Sequence, residues 1–177
     1  DVVDAARRAT RWVHPVTAEV SAALSRDSQG VCAVASADAV SRELPEPSVG
    51  ETLVVLAQGR DPGNVGTIIR TADAFGAVGV ITVSGTVEAT SPKVVRASAG
   101  SVFHIPVCVV SSFEEAHALI HRRSAALLGT SGGAGSLDLS QMLAQGVSGR
   151  SRLSQSHAWV FGNEAKGLSG AEMRLCD

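Results

Sequence analysis

The stretch TLVVLAQGRDPGNVGTIIRTADAFGAVGVITV, residues 52–83, decides the fold class of this chain. Its two ends, residues 52–57 and 78–83, are short continuous apolar runs, which predict strands buried on both faces. Between them, residues 64–75 have helical apolar spacing, and the turn before them contains Gly and Pro. A strand, a helix and a second strand in this order predict a βαβ unit, whose two strands are parallel.

The rest of the chain continues the same alternation. We predict helices near residues 92–99 and over 113–123, and strands over 105–110, 125–129 and 157–161. The predicted fold class is therefore α/β, an open parallel sheet with helices on both faces. In such a sheet the ligand lies beyond the carboxyl ends of the strands, so site residues are expected in the loops that follow them.

The segment before residue 52 has a different pattern. Residues 2–13 and a stretch ending at residue 24 predict helices, and VCAVA, residues 31–35, predicts a strand. Residues 36–50 contain Pro45, Pro47 and several acidic residues without apolar period, which is typical of a linker. We therefore expect a first domain over residues 1–37, a linker over 38–50 and an α/β domain over 51–177. Both ends of the chain fall within predicted helices, so we expect it to be part of a longer protein.

Composition limits the class of protein. The chain has 177 residues, a formal net charge of −2, 45% hydrophobic residues and 18% charged residues. These values exclude a disordered or collagen-like chain and argue against binding nucleic acid through bulk charge alone. Cys32, Cys108 and Cys176 form no CxxC pair, so we expect neither a disulfide framework nor a metal site. No apolar run approaches the roughly 18 residues of a membrane span, and we expect a cytoplasmic protein without membrane contact.

Three loops are rich in Gly and polar side chains. They are QGRDPGNVG (58–66) after the first strand of the α/β domain, GTSGG (129–133) after the fourth and FGNEAKGLS (161–169) after the fifth. One interpretation is purely structural, with Asn64 and Ser169 as the caps that start helices. Arg70 favours a site instead, because a guanidinium among residues expected to pack requires an anionic partner. The spacing matches neither the phosphate-binding GxxxxGK[ST] motif nor the dinucleotide-binding GxGxxG motif.

Several blocks of the sequence resemble the SpoU/TrmH family of RNA 2′-O-ribose methyltransferases. LAQGRDPGNVGTIIRTADAFGA (56–77) is similar to the first family signature, in which N-x-G-x-x-x-R begins a helix. WVFGNEAKGLS (159–169) resembles the second signature, F-G-x-E-x-x-G-L, and SPKVVRASAGSVFHIPV (91–107) resembles the segment between them. LSRDSQGVCAVA (24–35) looks like the end of the ribosomal-protein-like RNA-binding domain that often precedes this catalytic domain.

The resemblance implies a SPOUT-type α/β knot, S-adenosylmethionine as cofactor, no metal, RNA as substrate and a homodimer. It implies that Arg70 orients and polarises the ribose 2′-hydroxyl, since a guanidinium stays protonated and is a poor base. It also implies that Asn64 positions the nucleotide and that Glu164 holds the site network together. The cofactor wall implied by the resemblance is Thr130, Ser131, Gly132, Phe161, Gly162, Asn163, Gly167 and Leu168. The implied RNA-binding residues are Arg60, Arg96, Ser98 and Gly100.

One family signature does not occur in the chain. The third, I-P-M/I followed by G and S-L-N-V-S, supplies a Ser and an Asn of the catalytic centre and the segment that threads the knot. We expect the intact protein to carry it, and expect weak cofactor binding and little activity from residues 1–177 alone. Ribosomal RNA is the favoured substrate and transfer RNA the main alternative. A non-catalytic RNA-binding or ribosome-assembly protein and a small-molecule α/β enzyme are the other classes considered.

Overall fold

The computed structural model describes residues 1–26, 28–133, 136–147 and 152–177. They form two compact units, Asp1–Ser36 and Ala37–Asp177. The first unit contains two short helices, α1 (Val2–Ala9) and α2 (Ala18–Leu24), which begin after the capping residues Asp1 and Thr17.

Two predictions for the first unit need correction. Helix α1 ends before the predicted residue 13, because the β-branched Thr10 has an extended backbone at φ −150° and ψ 151°. The strand predicted at residues 31–35 is wrong, since those residues form no regular element. A strand needs a neighbouring strand for its hydrogen bonds, and the described residues of this unit supply none.

The second unit contains five strands and five α-helices among its described residues. The strands are β1 (Thr52–Leu56), β2 (Gly79–Val83), β3 (Val107–Val110), β4 (Ala126–Gly129) and β5 (His157–Phe161). The helices are α3 (Pro62–Ala74), α4 (Pro92–Ala97), α5 (Phe113–Arg122), α6 (Leu139–Val147) and α7 (Gly170–Leu175). Apart from α6, which was not predicted, these elements confirm the predicted ones to within a few residues. Residues 148–156 are rich in Ser and Arg, which predicts an exposed loop. Residues 148–151 lie outside the described residues, and the described part contains a 3₁₀ turn, Arg152–Ser154.

All five strands are parallel, in the order β3-β2-β1-β5-β4. This arrangement confirms the predicted open parallel sheet. Strand β1 lies at the centre, where Val55 is in register with Ile81 of β2 and Val160 of β5. Because β1, β5 and β4 are adjacent and parallel, the three Gly-rich loops that follow them lie at one edge of the sheet.

The core is divided between the two faces of the sheet. Side chains alternate along β1, so Leu53 and Val55 pack with α5 on one face while Val54 and Leu56 pack with α3 and α4 on the other. Both clusters consist mainly of aliphatic side chains that are almost fully buried, and each large one contributes about 1.5–3 kcal/mol on burial. Helices on both faces of the sheet are thereby confirmed.

Much of the segment predicted as a linker packs against the sheet unit. Val40 is buried in the core, and Ser41 accepts a hydrogen bond from the backbone N–H of Val107 at 2.8 Å. At the amino edge of the sheet, Glu51 and Arg123 form a buried ion pair, with Nε to Oε1 at 2.6 Å and a second nitrogen to Oε2 at 2.8 Å. These contacts hold residues 40–51 on the α/β unit.

Candidate active site

A cavity of about 290 Å³ lies at the carboxyl edge of the sheet, between the start of α3 and the loop that follows β5. It combines apolar side chains with amide, carboxylate and backbone groups. Its lining residues are Leu56, Gly59, Asn64, Val65, Thr67, Ile68, Thr130, Phe161, Gly162, Asn163, Glu164 and Gly167. Seven of the residues named from the sequence are therefore brought together here: Asn64, Thr130, Phe161, Gly162, Asn163, Glu164 and Gly167.

The start of α3 corrects one prediction. Asp61, not Asn64, caps this helix, because its Oδ1 accepts the backbone N–H of Asn64 at 2.8 Å and Pro62 occupies the first turn. Asn64 therefore lies within the first turn, and its side chain takes no part in capping. It lines the cavity instead, and its amide lies close enough to the Glu164 carboxylate to help lower the pKa of that group.

The loop after β5 is a tight turn closed by its own backbone. Asn163 and Gly167 exchange two backbone hydrogen bonds of 3.0 and 2.7 Å, and the Asn163 Oδ1 accepts the N–H groups of Ala165 and Lys166. Gly162 is required by this closure, since a Cβ at that position would lie 2.3 Å from the carbonyl carbon of Gly167. The turn therefore presents Glu164 at its tip in one conformation.

Glu164 joins the two signature loops. Its Oε1 accepts the backbone N–H of Asp61 at 3.3 Å, across the mouth of the cavity. The pKa of Glu164 is lowered, first by its own backbone N–H and then by that of Asp61, with smaller contributions from the Asn64 side chain and the Arg60 N–H. The side chain is therefore ionised at neutral pH and acts as an acceptor that ties the loops together.

Arg70 does not line the cavity, although it lies on the helix that does. It is exposed, and among the described residues no carboxylate pairs with it, so the anionic partner expected from the sequence is not found there. It follows Thr67 by three residues, which makes the two side chains neighbours on the α3 surface. Side chains on a helix tilt toward its amino end, which for α3 is the end at the cavity.

The other cofactor-wall residues occupy the loop after β4 and the end of the β5 turn. Thr130 is fixed by two hydrogen bonds to the Val160 carbonyl, from its N–H at 3.0 Å and its hydroxyl at 2.7 Å. Ser131 accepts the N–H of Gly133. Leu168 is half-buried and packs toward Gly129, while Ser131, Gly132 and Leu168 do not line the cavity.

The four residues predicted to face RNA have different surroundings. Arg60 is exposed in the loop before α3, and Gly100 follows α4 with a φ of +96°. Arg96 lies in the last turn of α4 and is exposed. Ser98 is fully buried and its hydroxyl donates to the Val95 carbonyl at 2.8 Å, so the structure does not present it to a substrate.

Several cavity residues were not predicted from the sequence. Val65, Thr67 and Ile68 line the cavity from α3, and Gly66 is buried where a Cβ would lie 2.5 Å from the Ala97 Cβ. Spacings of three and four residues from Asn64 identify Thr67 and Ile68 as its neighbours on the helix surface. That spacing is the sequence signal from which these two cavity residues could have been predicted. Among the described residues, no group of three or more His, Cys, Asp or Glu side chains is placed to hold a metal ion.

Comparison with known proteins agrees with this site. The model of the SpoU rRNA Methylase family matches residues 51–177, which include both signature loops. The chain belongs to this family. Its parallel sheet with helices on both faces is similar to the fold of solved SpoU methyltransferases. In the part of the chain that the structure describes, no helix is long and apolar enough to cross a membrane.

The relatives that match this chain align with different shares of its length. The 23S rRNA (guanosine-2′-O-)-methyltransferase RlmB of Bordetella pertussis is 31% identical over 181 residues, covering 99% of this chain and 70% of the relative. The 23S rRNA (uridine(2479)-2′-O)-methyltransferase of Streptomyces viridochromogenes is 37% identical over 121 residues, covering 66% of this chain and 39% of the relative.

The solved structures include the SpoU methyltransferase AviRb from Streptomyces viridochromogenes. It matches with a TM-score of 0.65 and 32% identity, over 75% of this chain and 49% of that one. The complex of the same protein with AdoMet matches with a TM-score of 0.64 and 30% identity, over 80% of this chain and 52% of that one. The chain thus spans about half the length of these solved structures.

Proposed function

We propose that this chain belongs to an enzyme that transfers a methyl group from S-adenosylmethionine to a ribose 2′-hydroxyl of RNA. The observation that carries the proposal is the contact of Glu164 with the Asp61 backbone and the Asn64 side chain. It joins the two signature loops around one cavity at the carboxyl edge of the sheet, where an α/β fold binds its ligand. The relatives named as 23S rRNA 2′-O-methyltransferases support the same reaction.

The cavity suits S-adenosylmethionine in the character of its lining. Its volume of about 290 Å³ is at the lower end of the range for small-molecule pockets. Leu56, Val65, Ile68 and Phe161 offer an apolar wall for an adenine ring, and the closed turn at Gly162 brings backbone groups to its edge. Thr130, held against Val160, completes the opposite side. Bound there, S-adenosylmethionine supplies a methyl group activated by its sulfonium.

The residues of this chain would align the ribose for that transfer. Asn64 has an amide at the cavity wall that can hold the nucleotide. Arg70, a permanent cation nearly two turns further along α3 than Asn64, orients and polarises the 2′-hydroxyl or an adjacent phosphate. Glu164 remains ionised and engaged with the α3 start, so its contribution is to keep Asn64 and the loop in place.

The proposed substrate is ribosomal RNA, since the two relatives described above are named as acting on 23S rRNA. Transfer RNA is the alternative, and other relatives are named as tRNA/rRNA methyltransferases. Arg60, Arg96 and Gly100 are retained as candidate RNA contacts, whereas Ser98 is not, because it is buried. We also infer a homodimer, which the family resemblance implies, and a cytoplasmic location, which a ribosomal RNA substrate favours.

The test incubates the intact protein with tritiated S-adenosylmethionine and total RNA, digests the RNA and separates its nucleosides. The proposal predicts label in a 2′-O-methylnucleoside, and the base that carries it gives the position to map. A Glu164→Gln variant should lose most of the label, because a neutral amide is a weaker acceptor for the Asp61 N–H. Absence of both label and cofactor binding in the wild-type protein would favour the non-catalytic RNA-binding alternative.

A further inference from the structure

The loop between β1 and α3, residues 57–61, is held from two sides by carboxylates that follow β5. On the α3 side, Glu164 accepts the backbone N–H of Asp61 at 3.3 Å. On the opposite side, Glu172 of α7 accepts a hydrogen bond from the Gln58 side-chain amide, from Nε2 to Oε1 at 3.2 Å. The loop is thus attached at both ends to the segment that contains the second signature.

The Glu172 side chain is held in place by hydrogen bonds within its own helix start. It is only 9% exposed, and its Oε2 accepts the backbone N–H of Ser169 at 2.6 Å, while its own N–H donates to the Ser169 hydroxyl at 3.2 Å. This reciprocal capping box uses one carboxylate oxygen. The other oxygen is the one that holds Gln58, so the capping box positions an acceptor for the loop.

Arg60 lies within the loop that these attachments hold, and the loop is also anchored at Gly59, whose carbonyl accepts the N–H of Val87 at 2.9 Å. Arg60 itself lies between Gln58 and Asp61, and its side chain is exposed. Its side chain also lines a second cavity of about 420 Å³, on the α5 and α7 side of the sheet, together with Gln58 and Glu172. An exposed guanidinium at the carboxyl edge of β1 is suited to a phosphate of the RNA backbone.

We infer that Glu172 is a positioning residue for RNA binding, because it holds Gln58 and so fixes the loop that carries Arg60 beside the methyl-transfer site. This inference rests on the proposed function. Glu172 touches neither substrate nor cofactor in this scheme, and it acts through Gln58. The measurable consequence is a change in RNA affinity that leaves cofactor affinity in place.

The decisive variant is Gln58→Met, which has a similar length and no hydrogen-bonding amide, and which leaves the α7 capping box intact. We expect the KM and Kd for RNA to rise by up to about tenfold, less than the full effect of losing a hydrogen bond to a charged group, because this bond positions the loop and does not itself contact RNA. We expect kcat and the Kd for S-adenosylmethionine to stay within about twofold, since Gln58 does not line the proposed cofactor cavity. Gln141→Met, at an exposed glutamine of α6, is the matched control and should change none of these values.

Two further variants separate positioning from stability. Ser169→Ala weakens the α7 cap but keeps the Gln58 contact, so it should lower the Tm without raising the RNA Kd to the same extent. In Glu172→Gln the new amide oxygen can still accept the Ser169 N–H, and the new amide nitrogen can donate to the Gln58 oxygen once the Gln58 amide rotates. RNA affinity should therefore remain near that of the wild type. If Glu172 contributed only to stability, RNA affinity would fall with the Tm in Gln58→Met, Ser169→Ala and Glu172→Gln alike.

Amide hydrogen exchange measures how often the same loop opens, independently of activity. In Gln58→Met the amides of Gly59, Arg60 and Asp61 should exchange several-fold faster than in the wild-type protein, as expected for a loop that opens more often. Unchanged exchange and unchanged RNA affinity in Gln58→Met would overturn the inference. A wild-type protein that binds RNA but methylates none would contradict the proposed function alone, because RNA affinity is measured without cofactor.

Discussion

Replacing Arg123 by Met removes one half of the buried ion pair at the amino edge of the sheet. The guanidinium donates to both oxygens of Glu51, at 2.6 and 2.8 Å, and to the Pro45 carbonyl at 2.9 Å. The Arg123 and Glu51 side chains are 6% and 0% exposed. After the substitution the Glu51 carboxylate stays buried, and its remaining donors among the described residues are the N–H and hydroxyl of Ser48, at 3.1 and 3.5 Å.

The expected loss follows from that geometry. Removing one partner of a buried pair lowers the free energy of unfolding by about 3–5 kcal/mol, because an uncompensated charge remains in the interior. For a unit of this size that loss lowers the Tm by on the order of 10 °C. The double variant Glu51→Met, Arg123→Met removes both charges, and apolar side chains in place of a buried pair are often neutral. It should therefore be clearly more stable than Arg123→Met alone.

Urea unfolding followed by Trp159 fluorescence measures this loss. Trp159 lies in β5 of the sheet, and a Trp12→Phe background removes the only other tryptophan of the sequence. Arg122→Met, the exposed neighbour on α5, is the control and should change the unfolding free energy by less than about 0.5 kcal/mol. A loss below about 1 kcal/mol in Arg123→Met, or a double variant less stable than the single one, would refute the account of Arg123 as a buried, paired charge.

Three further predictions concern the site and the same ion pair. Arg70→Ala should abolish methyl transfer while the Kd for S-adenosylmethionine, measured by calorimetry, changes by no more than a few-fold; a large loss of cofactor binding would instead make Arg70 part of the pocket. Gly162→Ala should reduce cofactor binding at least tenfold in the same measurement, because its Cβ would lie 2.3 Å from the Gly167 backbone, and near-normal binding would show that the β5 turn is not closed as described. Burial by itself raises the pKa of Glu51, but hydrogen bonds from Arg123 and Ser48 outweigh it and hold that pKa below its ordinary value of 4.5. The Glu51 contribution to stability is therefore present above about pH 4.5 and is lost as the pH falls through the folded-state pKa, so unfolding free energies measured from pH 6 to 3 should fall less steeply in Glu51→Gln than in the wild-type protein.

The elements of the α/β unit follow from local sequence. Continuous apolar runs such as residues 52–56 can only be buried on both faces, and parallel strands covered by helices meet that requirement. The loops with Asn64 and Glu164 were recognised because they follow such strands and resemble the family signatures. Residues 31–35 show the limit of this reasoning, since an apolar run predicts a strand whether or not a pairing partner is present.

What the sequence by itself determined is the fold class, the order of the elements in the α/β unit and most residues of the candidate site. Only the tertiary structure decided the contacts between residues far apart in the chain: Glu51 with Arg123, Asp61 with Glu164 and Gln58 with Glu172. It also decided that Ser98 is buried and that Asp61 caps α3 in place of Asn64. The physical reason is that apolar periodicity depends on near neighbours, whereas the burial and pairing of a polar side chain depend on which distant segments the sheet brings beside it.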